Sequence, residues 1–477
     1  MKNNIVILAV LSLLFVGCAD QLERFPVDEL VEETAFQTVT DLQLGVNAFI
    51  GNYAPTTLVA HNSIFTDNVK VGTNNGGQEL AALAQILNAD QGDRGLWAAR
   101  YGLINDINRV LAAAGSIAPS AAEEEQYDNI LAQCYAFRAL AHWELLLYYG
   151  FDVTNPDAPG VPYVDFVSPD ATPARNTTSE VLEGIQSDLT EANALLAGVT
   201  PDINFATQDF VSFLRARIAL ETGDYTGAIT IANGLIGSYP LATPGQYFNM
   251  FNEDADVTEV IWRYDNVQGF NYNMAGVWHF TGSGTLSESG FMEMSNGLYN
   301  TFDPNDVRFA VNFASVSNLG AGEILIGKYP PNADTQFIND FKAMRISEIH
   351  LIKAEAHARL NQLGEAAQSV FNVRDARFLT SVPAITYTNQ LEAMMDILAE
   401  RRLELAFEGH RYNDIKRMRD ITNMGIVRDP LDCGANSAAA APCELPATSE
   451  KWVFPVPQTE INANPNIEQA PGYTTNN

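Results

Sequence analysis

Residues 127–149 constrain the fold more than any other part of this chain. They are rich in alanine, leucine and aromatic residues, and as a helix they would be apolar around nearly the whole circumference. A helix without a polar face needs neighbours on every side, so it belongs in the interior. Gly150 follows as a natural stop. The sequence therefore predicts a long central helix that ends at Gly150.

Two further stretches have the pattern of paired helices. In the first, residues 213–220 lead to a Gly-Asp-Tyr turn at 223–225, and Ala228 opens the next helix. The second covers residues 346–377, with a turn at Leu363 and Gly364. Small alanines allow paired helices to approach closely, as in tetratricopeptide units. The pattern predicts a mainly α-helical fold built from tetratricopeptide-like helix pairs.

Shifts in composition divide the chain. Residues 241–340 are rich in glycine, asparagine, aspartate and aromatics, with short alternating runs such as 260–264 that predict a few strands. A last helix is expected at about 390–419. The predicted parts are a signal peptide (1–17), an N-terminal tether (18–40), a helical part (41–240), an irregular, loop-rich ligand-binding region (241–340), and helix pairs with a proline-rich tail (341–477).

The N-terminus has the features of an export signal. Lys2 precedes an apolar run at 5–16 that is too short to cross a bilayer of roughly 30 Å, and Gly17 and Cys18 follow. A small residue before a cysteine at this place is typical of a bacterial lipoprotein. We expect Cys18 to be the first mature residue and to carry the lipid anchor; the alternative is an ordinary secretion signal that happens to contain a cysteine.

Charge and cysteine usage narrow the function. The formal net charge of −31 over 477 residues argues against binding to nucleic acid.

The remaining cysteines have different surroundings in the sequence. Cys134 lies in the central helix and is expected to be a small buried hydrophobe. Cys433 and Cys443 flank a loop in a chain predicted to be exported, where a disulfide is permitted. Whether they pair remains open from the sequence.

Motifs for catalysis or metal binding are poor. Residues 322–329 nearly form a phosphate-binding loop, but Tyr329 stands where a serine or threonine should hold magnesium, and 324–326 is typical of a strand. His350 and His357 have no acidic residue at ligand spacing. We therefore expect no catalytic residue, metal or cofactor. Because carboxylates are abundant, a glycosidase pair stays open as an alternative.

Two loop segments carry the residue types that a glycan site needs, which are flat apolar faces together with amides and carboxylates. Residues 61–78 offer Asp67 and Asn68 among other polar side chains, and residues 265–300 offer Tyr272 and Trp278. These four are candidate ligand-binding residues. The aromatic rings could instead belong to the core, and the aspartate and asparagine side chains of these segments could hold Ca²⁺ through their oxygens.

Several segments resemble the SusD/RagB family, in the expected order along the whole chain apart from 241–340. Trp97 falls at a family position, so it is also a candidate for ligand binding, with a core position as the alternative. The matching segments are CADQLE from Cys18, W-x3-Y-x2-I-x3-N from Trp97, CYAFRALAHW from Cys134, ERRLELAFEGHRYNDIKR from Glu400, and FPVPQTEINANPN from Phe454.

The resemblance implies four tetratricopeptide-like helix pairs on one side and an irregular ligand-binding side opposite. It also implies an outer-membrane lipoprotein of Bacteroidota that caps a SusC-like, TonB-dependent transporter, with no catalysis. Members mostly bind glycans, and some branches handle peptides. The expected partners are therefore the transporter, a glycan (or a peptide) and the outer membrane.

One charge in the segment from Glu400 needs a partner. Arg402 falls on an apolar stripe, where an unpaired cation would cost several kcal/mol. Glu404, Glu408 and Asp414 are the expected partners. A buried ion network that holds the tail is the first interpretation, and a carboxylate-binding arginine is the second.

Overall fold

The computed structural model describes residues 35–266, 274–278, 290–314, 322–330, 339–437 and 440–473. The helices in these ranges are α1 (Val39–Gly51), α2 (Thr56–Ile64), α3 (Leu80–Leu83), α4 (Leu96–Ala114), α5 (Glu124–Tyr149), α6 (Thr178–Leu195), α7 (Gln208–Thr222), α8 (Tyr225–Ser238), α9 (Pro244–Asn252), α10 (Asn296–Tyr299), α11 (Val307–Asn312), α12 (Ile346–Arg359), α13 (Leu363–Arg377), α14 (Gln390–Glu404), α15 (Arg411–Thr422) and α16 (Gln458–Ala463). The strands are β1 (Val69–Val71), β2 (Val260–Tyr264), β3 (Met292–Met294), β4 (Phe313–Ala314), β5 (Leu325–Ile326), β6 (Phe341–Arg345), β7 (Ile426–Val427) and β8 (Glu444–Leu445). The predicted mainly helical fold with a few short strands is confirmed.

The central helix is α5. Nearly every residue from Ile130 to Tyr149 is buried, and the helix packs against both α4 and α6. Gly150 ends it by donating its N–H to the Leu146 carbonyl at 2.9 Å. A Cβ at this position would lie 2.5 Å from that carbonyl oxygen, so only glycine fits the turn. The prediction for this helix is confirmed.

Consecutive helices pack as pairs: α4 with α5, α7 with α8, α12 with α13, and α14 with α15. In the turn between α7 and α8, Gly223 has φ of +88°, and Asp224 caps α8 by accepting from the Gly227 N–H at 2.9 Å. Ala228 is fully buried, as close helix packing requires. In the second unit the turn lies at Asn361 (φ +58°), just before the predicted position, because Leu363 already begins α13.

The prediction of one helix over 390–419 is wrong, because the helix is interrupted between α14 and α15. Phe407 and Gly409 both have left-handed backbone conformations, with φ of +61° and +91°. The break leaves carbonyls without helical partners, and buried cations take their place. Lys328 Nζ donates to the carbonyl of Ala406 at 3.0 Å, and Arg345 donates to that of Glu404 at 3.2 Å. Tertiary contacts therefore override the local helical pattern.

Each described strand pairs antiparallel with one other: β1 with β3, β2 with β6, β4 with β5, and β7 with β8. The described part of 241–340 also contains α9, so this region is less irregular than its composition predicts. Trp262 on β2 is 1% exposed and packs edge-on against the rings of Phe137 and Phe210 in the core. None of the helices in the described ranges has the length and apolar character that crossing a membrane requires.

Candidate functional site

Strands β1 and β3 bring together the two segments in which ligand-binding residues were predicted. Val69 pairs with Met294, Lys70 with Glu293, and Val71 with Met292. The paired residues are more than 200 positions apart in the chain, yet segments 61–78 and 265–300 share this antiparallel ladder. The loop that follows β1, residues 72–79, therefore starts beside the residues that precede β3.

Glu293 fixes that loop. Its side chain is 2% exposed, and its Oε1 accepts from the backbone N–H of Thr73 at 2.9 Å and from the Thr73 hydroxyl at 3.1 Å. Its Oε2 accepts from the N–H of Ile324 at 3.0 Å and lies 3.5 Å from Lys70 Nζ. One buried carboxylate thus joins the loop after β1, strand β3 and the segment that enters β5.

We call residues 72–79 the loop platform. Gly72 passes so close to the segment that precedes β3 that a Cβ on it would lie 1.9 Å from the Gly290 carbonyl oxygen. The amide of Asn75 is buried and donates to the carbonyls of Phe291 at 2.8 Å and Gln78 at 2.9 Å. These contacts leave Asn74 and Gln78 exposed. Their side-chain amides have no partner in the described part of the chain, so both can bind hydroxyl groups.

The structure does not present Asp67 or Asn68 to a ligand. Both are buried just before β1. The Asp67 carboxylate accepts from Arg411, and the Asn68 amide oxygen accepts from Arg402 at 3.0 Å. Burial alone would raise the pKa of Asp67, but the guanidinium groups of Arg402 and Arg411 outweigh it and hold the pKa well below its usual range. With its oxygens occupied by arginines, Asp67 is not available to Ca²⁺ either.

The partners predicted for Arg402 are wrong, although an ion network is present. Arg402 reaches back to the carboxylate of Asp67 at 3.4 Å and to its carbonyl at 2.5 Å, and not to a residue of its own segment. The neighbouring Arg401 pairs with Asp414 at 2.7 Å. The segment that begins at Glu400 therefore anchors the chain that leads into β1 and the loop platform.

The remaining candidate residues lie in different surroundings. Trp278 is fully buried, with its ring 5.4 Å from that of Phe407, so it belongs to the core and not to an open binding face. Trp97 is 4% exposed and packs on Tyr101 and Tyr149, with one edge lining a surface pocket. Tyr272 and Cys18 fall outside the described residues.

Other sequence features are structural in character. The expected strand within 322–329 is β5, and Lys328 after it is buried against Glu408 at 2.6 Å, so this segment is not a phosphate loop. Cys433 and Cys443 are joined in a disulfide, and Cys134 is a buried free thiol. Within the described ranges, no cluster of three or more histidines, cysteines or carboxylates could hold a metal ion.

Glu293 is the organising residue that sequence reasoning missed. The available signal was a single carboxylate inside the apolar run from Phe291 to Met294. A charge in a buried strand must have partners, which marks it as the centre of a hydrogen-bond network. Its partners, Thr73 and Ile324, could not be read from local sequence because they lie 220 and 31 residues away.

Comparison with known families agrees with this architecture. The family model described as "SusD family" matches residues 329–473, and the model described as "Starch-binding associating with outer membrane" matches residues 27–212. The chain belongs to the SusD family. The first match includes the segment from Glu400 that anchors Asp67, and the second includes β1 and the loop platform. In this SusD-family chain, the two matched regions are thus joined by the Arg411–Asp67 pair.

Individual relatives extend over nearly the whole chain. SusD-like protein P2 from Formosa agariphila is 25% identical over 99% of this chain and 100% of its own. A SusD superfamily protein from Bacteroides thetaiotaomicron has a TM-score of 0.77 at 21% identity, covering 91% of this chain and all of its own. Surface glycan-binding protein A from the same organism, solved in complex with laminarihexaose, has a TM-score of 0.67 at 19% identity over 91% of this chain and all of its own. These structural likenesses show a shared SusD fold.

Proposed function

We propose that this chain is a cell-surface lipoprotein that binds oligo- or polysaccharide and passes it to a SusC-like, TonB-dependent transporter of the outer membrane. The single observation that carries the proposal is membership of a family described as starch-binding and associated with the outer membrane. The laminarihexaose complex of a protein with the same fold supports a glycan as the ligand class. Lipidation of Cys18 would hold the chain on the membrane beside the transporter.

The loop platform is the proposed binding surface. Asn74 and Gln78 offer amides that donate to and accept from hydroxyl groups, and the loop that carries them is held in shape by Glu293 and Asn75. Such preorganisation lowers the entropic cost of binding. No acid/base pair stands out on this loop, so we propose binding without catalysis.

Calorimetry with a panel of soluble glycans tests the proposal. The ligand panel includes laminarihexaose, and the protein is the purified chain with Cys18 replaced by serine. We expect at least one glycan to bind and the double variant Asn74→Ala, Gln78→Ala to weaken it about tenfold or more, since each lost hydrogen bond costs roughly 1 kcal/mol. Gln368→Ala, an exposed amide on α13, is the matched control and should bind normally.

Two results would redirect the proposal. Binding of oligopeptides but of no glycan would make the chain a peptide receptor on the same scaffold. Release of sugar products by the pure protein, abolished by one carboxylate substitution, would make it a glycoside hydrolase.

Co-purification of the membrane-bound chain with a large outer-membrane transporter tests the proposed partner. Recovery of the chain alone after mild detergent extraction would contradict the proposed partnership.

A further inference from the structure

A surface pocket of about 210 Å³ lies between α4, α16 and the connection from α5 to α6, and none of its lining residues belongs to the loop platform. Helix α4 supplies Trp97, Tyr101 and Asn105, which follow one another at intervals of four and so lie on one face. The connection supplies Phe166, which is 43% exposed, and α16 supplies Glu460. We call this the Phe166 pocket.

Buried polar groups hold the wall of the Phe166 pocket in place. The Asn108 amide donates to the carbonyls of Val164 at 3.1 Å and Phe166 at 3.2 Å. Arg138 in turn fixes the Asn108 oxygen at 2.9 Å. The N–H of Val164 donates to His142 Nε2 at 3.0 Å, an acceptor because burial lowers the pKa of His142 to about 3 and keeps its ring neutral. The backbone that carries the exposed Phe166 ring is therefore held in a fixed conformation before any ligand binds.

The two sides of the pocket are also tied to the rest of the chain. The Tyr101 hydroxyl donates to the Pro162 carbonyl at 2.8 Å, which fixes the ring against the connection. On the far side, the Asn464 amide donates to the Pro173 carbonyl at 2.9 Å. Both ends of the wall that carries Phe166 are thus held by side chains from other elements. A wall that is already ordered loses little entropy when a ligand binds.

The hydrogen-bonding groups of the pocket suit a neutral polyol. The Asn105 amide and the Ser168 hydroxyl have no partner in the described part of the chain. Glu460 uses one oxygen, at 3.4 Å from the Asn464 amide, which leaves the other free to accept. All residues that line the pocket are described, and they include one carboxylate and no cation. An anionic ligand would be repelled, whereas aromatic rings beside amide, hydroxyl and carboxylate groups match the apolar faces and hydroxyl edges of a sugar.

We propose that the Phe166 pocket is a second saccharide subsite that takes one sugar ring of a neutral glycan. This inference rests on the proposed function, because it adds a contact point for the same class of ligand. The volume is below the roughly 300 Å³ at which pockets for drug-sized ligands begin, so a single ring fits and a longer segment does not. A glycan chain would contact the protein at both the loop platform and this pocket.

The test is calorimetry with laminarihexaose, and with whichever soluble glycan of the panel binds most tightly, on the chain with Cys18 replaced by serine. We expect Phe166→Ala to weaken binding about fivefold to tenfold, since a stacked aromatic ring contributes roughly 1 kcal/mol. Phe166→Trp should bind at least as well as the original chain, because the ring face is retained. Glu460→Gln, which keeps an acceptor oxygen, should weaken binding less than Phe166→Ala.

Leu379→Ala is the matched control, since Leu379 is 67% exposed and lies far along the chain from the pocket. It should bind like the original chain. Equal affinities for Phe166→Ala, Phe166→Trp and the original chain would overturn the subsite. If that happened while the Asn74, Gln78 double variant lost binding, the proposed function would stand and the subsite alone would fail. A chain that binds no saccharide would overturn both.

Discussion

Arg411 donates two parallel hydrogen bonds to the carboxylate of Asp67, from Nε to Oδ1 and from Nη2 to Oδ2, both at 2.8 Å. The two residues are 344 positions apart in the chain, and both are buried. Arg402 adds a second guanidinium beside the same carboxylate. The pair ties the start of α15 to the connection between α2 and β1, and β1 leads from there into the loop platform.

Asp67→Asn should therefore destabilise the fold. The substitution keeps the shape of the side chain but leaves two guanidinium groups without their counter-charge, which costs about 3 kcal/mol when a buried pair is broken. Urea unfolding followed by circular dichroism measures the change. Asp420→Asn is the control, because Asp420 pairs with Arg359 while 57% exposed, and its loss should cost less than about 1 kcal/mol. Equal midpoints for the two variants would contradict this account.

Acid should lower the stability of the protein through its buried carboxylates. Burial alone would raise the pKa of Glu348, but the adjacent Arg217 outweighs it and the pKa falls to about 2; Glu355 beside Arg417 behaves in the same way. A carboxylate whose pKa is lower in the folded than in the unfolded chain stabilises the fold above its unfolded pKa. That contribution is lost as the pH falls toward the folded value. We expect the free energy of unfolding to decrease from about pH 5 to about pH 2.

Urea midpoints measured at several pH values between these limits check the prediction. Glu348→Gln should make the dependence on pH shallower, because it removes one of the groups that titrate. Glu365→Gln, an exposed carboxylate on α13, should leave the slope unchanged. A stability that stays constant down to about pH 3 would contradict the pKa assignments.

The disulfide should contribute to stability. Cys433 and Cys443 close a loop with a sequence separation of 10, and removing such a cross-link costs about 2–3 kcal/mol in the chain-entropy model. The double variant Cys433→Ser, Cys443→Ser should lower the thermal midpoint. Dithiothreitol should produce a similar decrease in the original chain and none in the double variant. A decrease in the double variant on adding the reductant would show that another bond is responsible.

Cys18→Ala should release the protein from the membrane. Each buried methylene of an acyl chain contributes roughly 0.8 kcal/mol, and without the thiol no acyl chain can be attached. Fractionation of cells that export the chain measures the distribution between membrane and soluble fractions. Cys134→Ala is the control, since that thiol is buried in α5 and should have no part in anchoring. A Cys18→Ala chain found in the membrane fraction would reject lipidation at this residue.

The candidate site shows where sequence reasoning succeeded and where it failed. The structure brings together the two segments in which ligand-binding residues were predicted, since β1 and β3 join them, and ligand binding by these segments stays a prediction. The individual residues were less well predicted. Asp67 and Trp278 have the residue types of a glycan site, but both are buried. Residue type indicates what a side chain can bind, whereas burial decides whether a ligand can reach it.

The sequence by itself determined the central helix, the helix pairs and the family, because helical periodicity and turn chemistry are set by residues within a few positions of one another. Only the tertiary structure decided the break after Glu404, the partners of Arg402 and the role of Glu293. Each of these depends on residues brought together from distant parts of the chain. A buried charge must find a partner, but the packing of the helices and strands determines which one it finds.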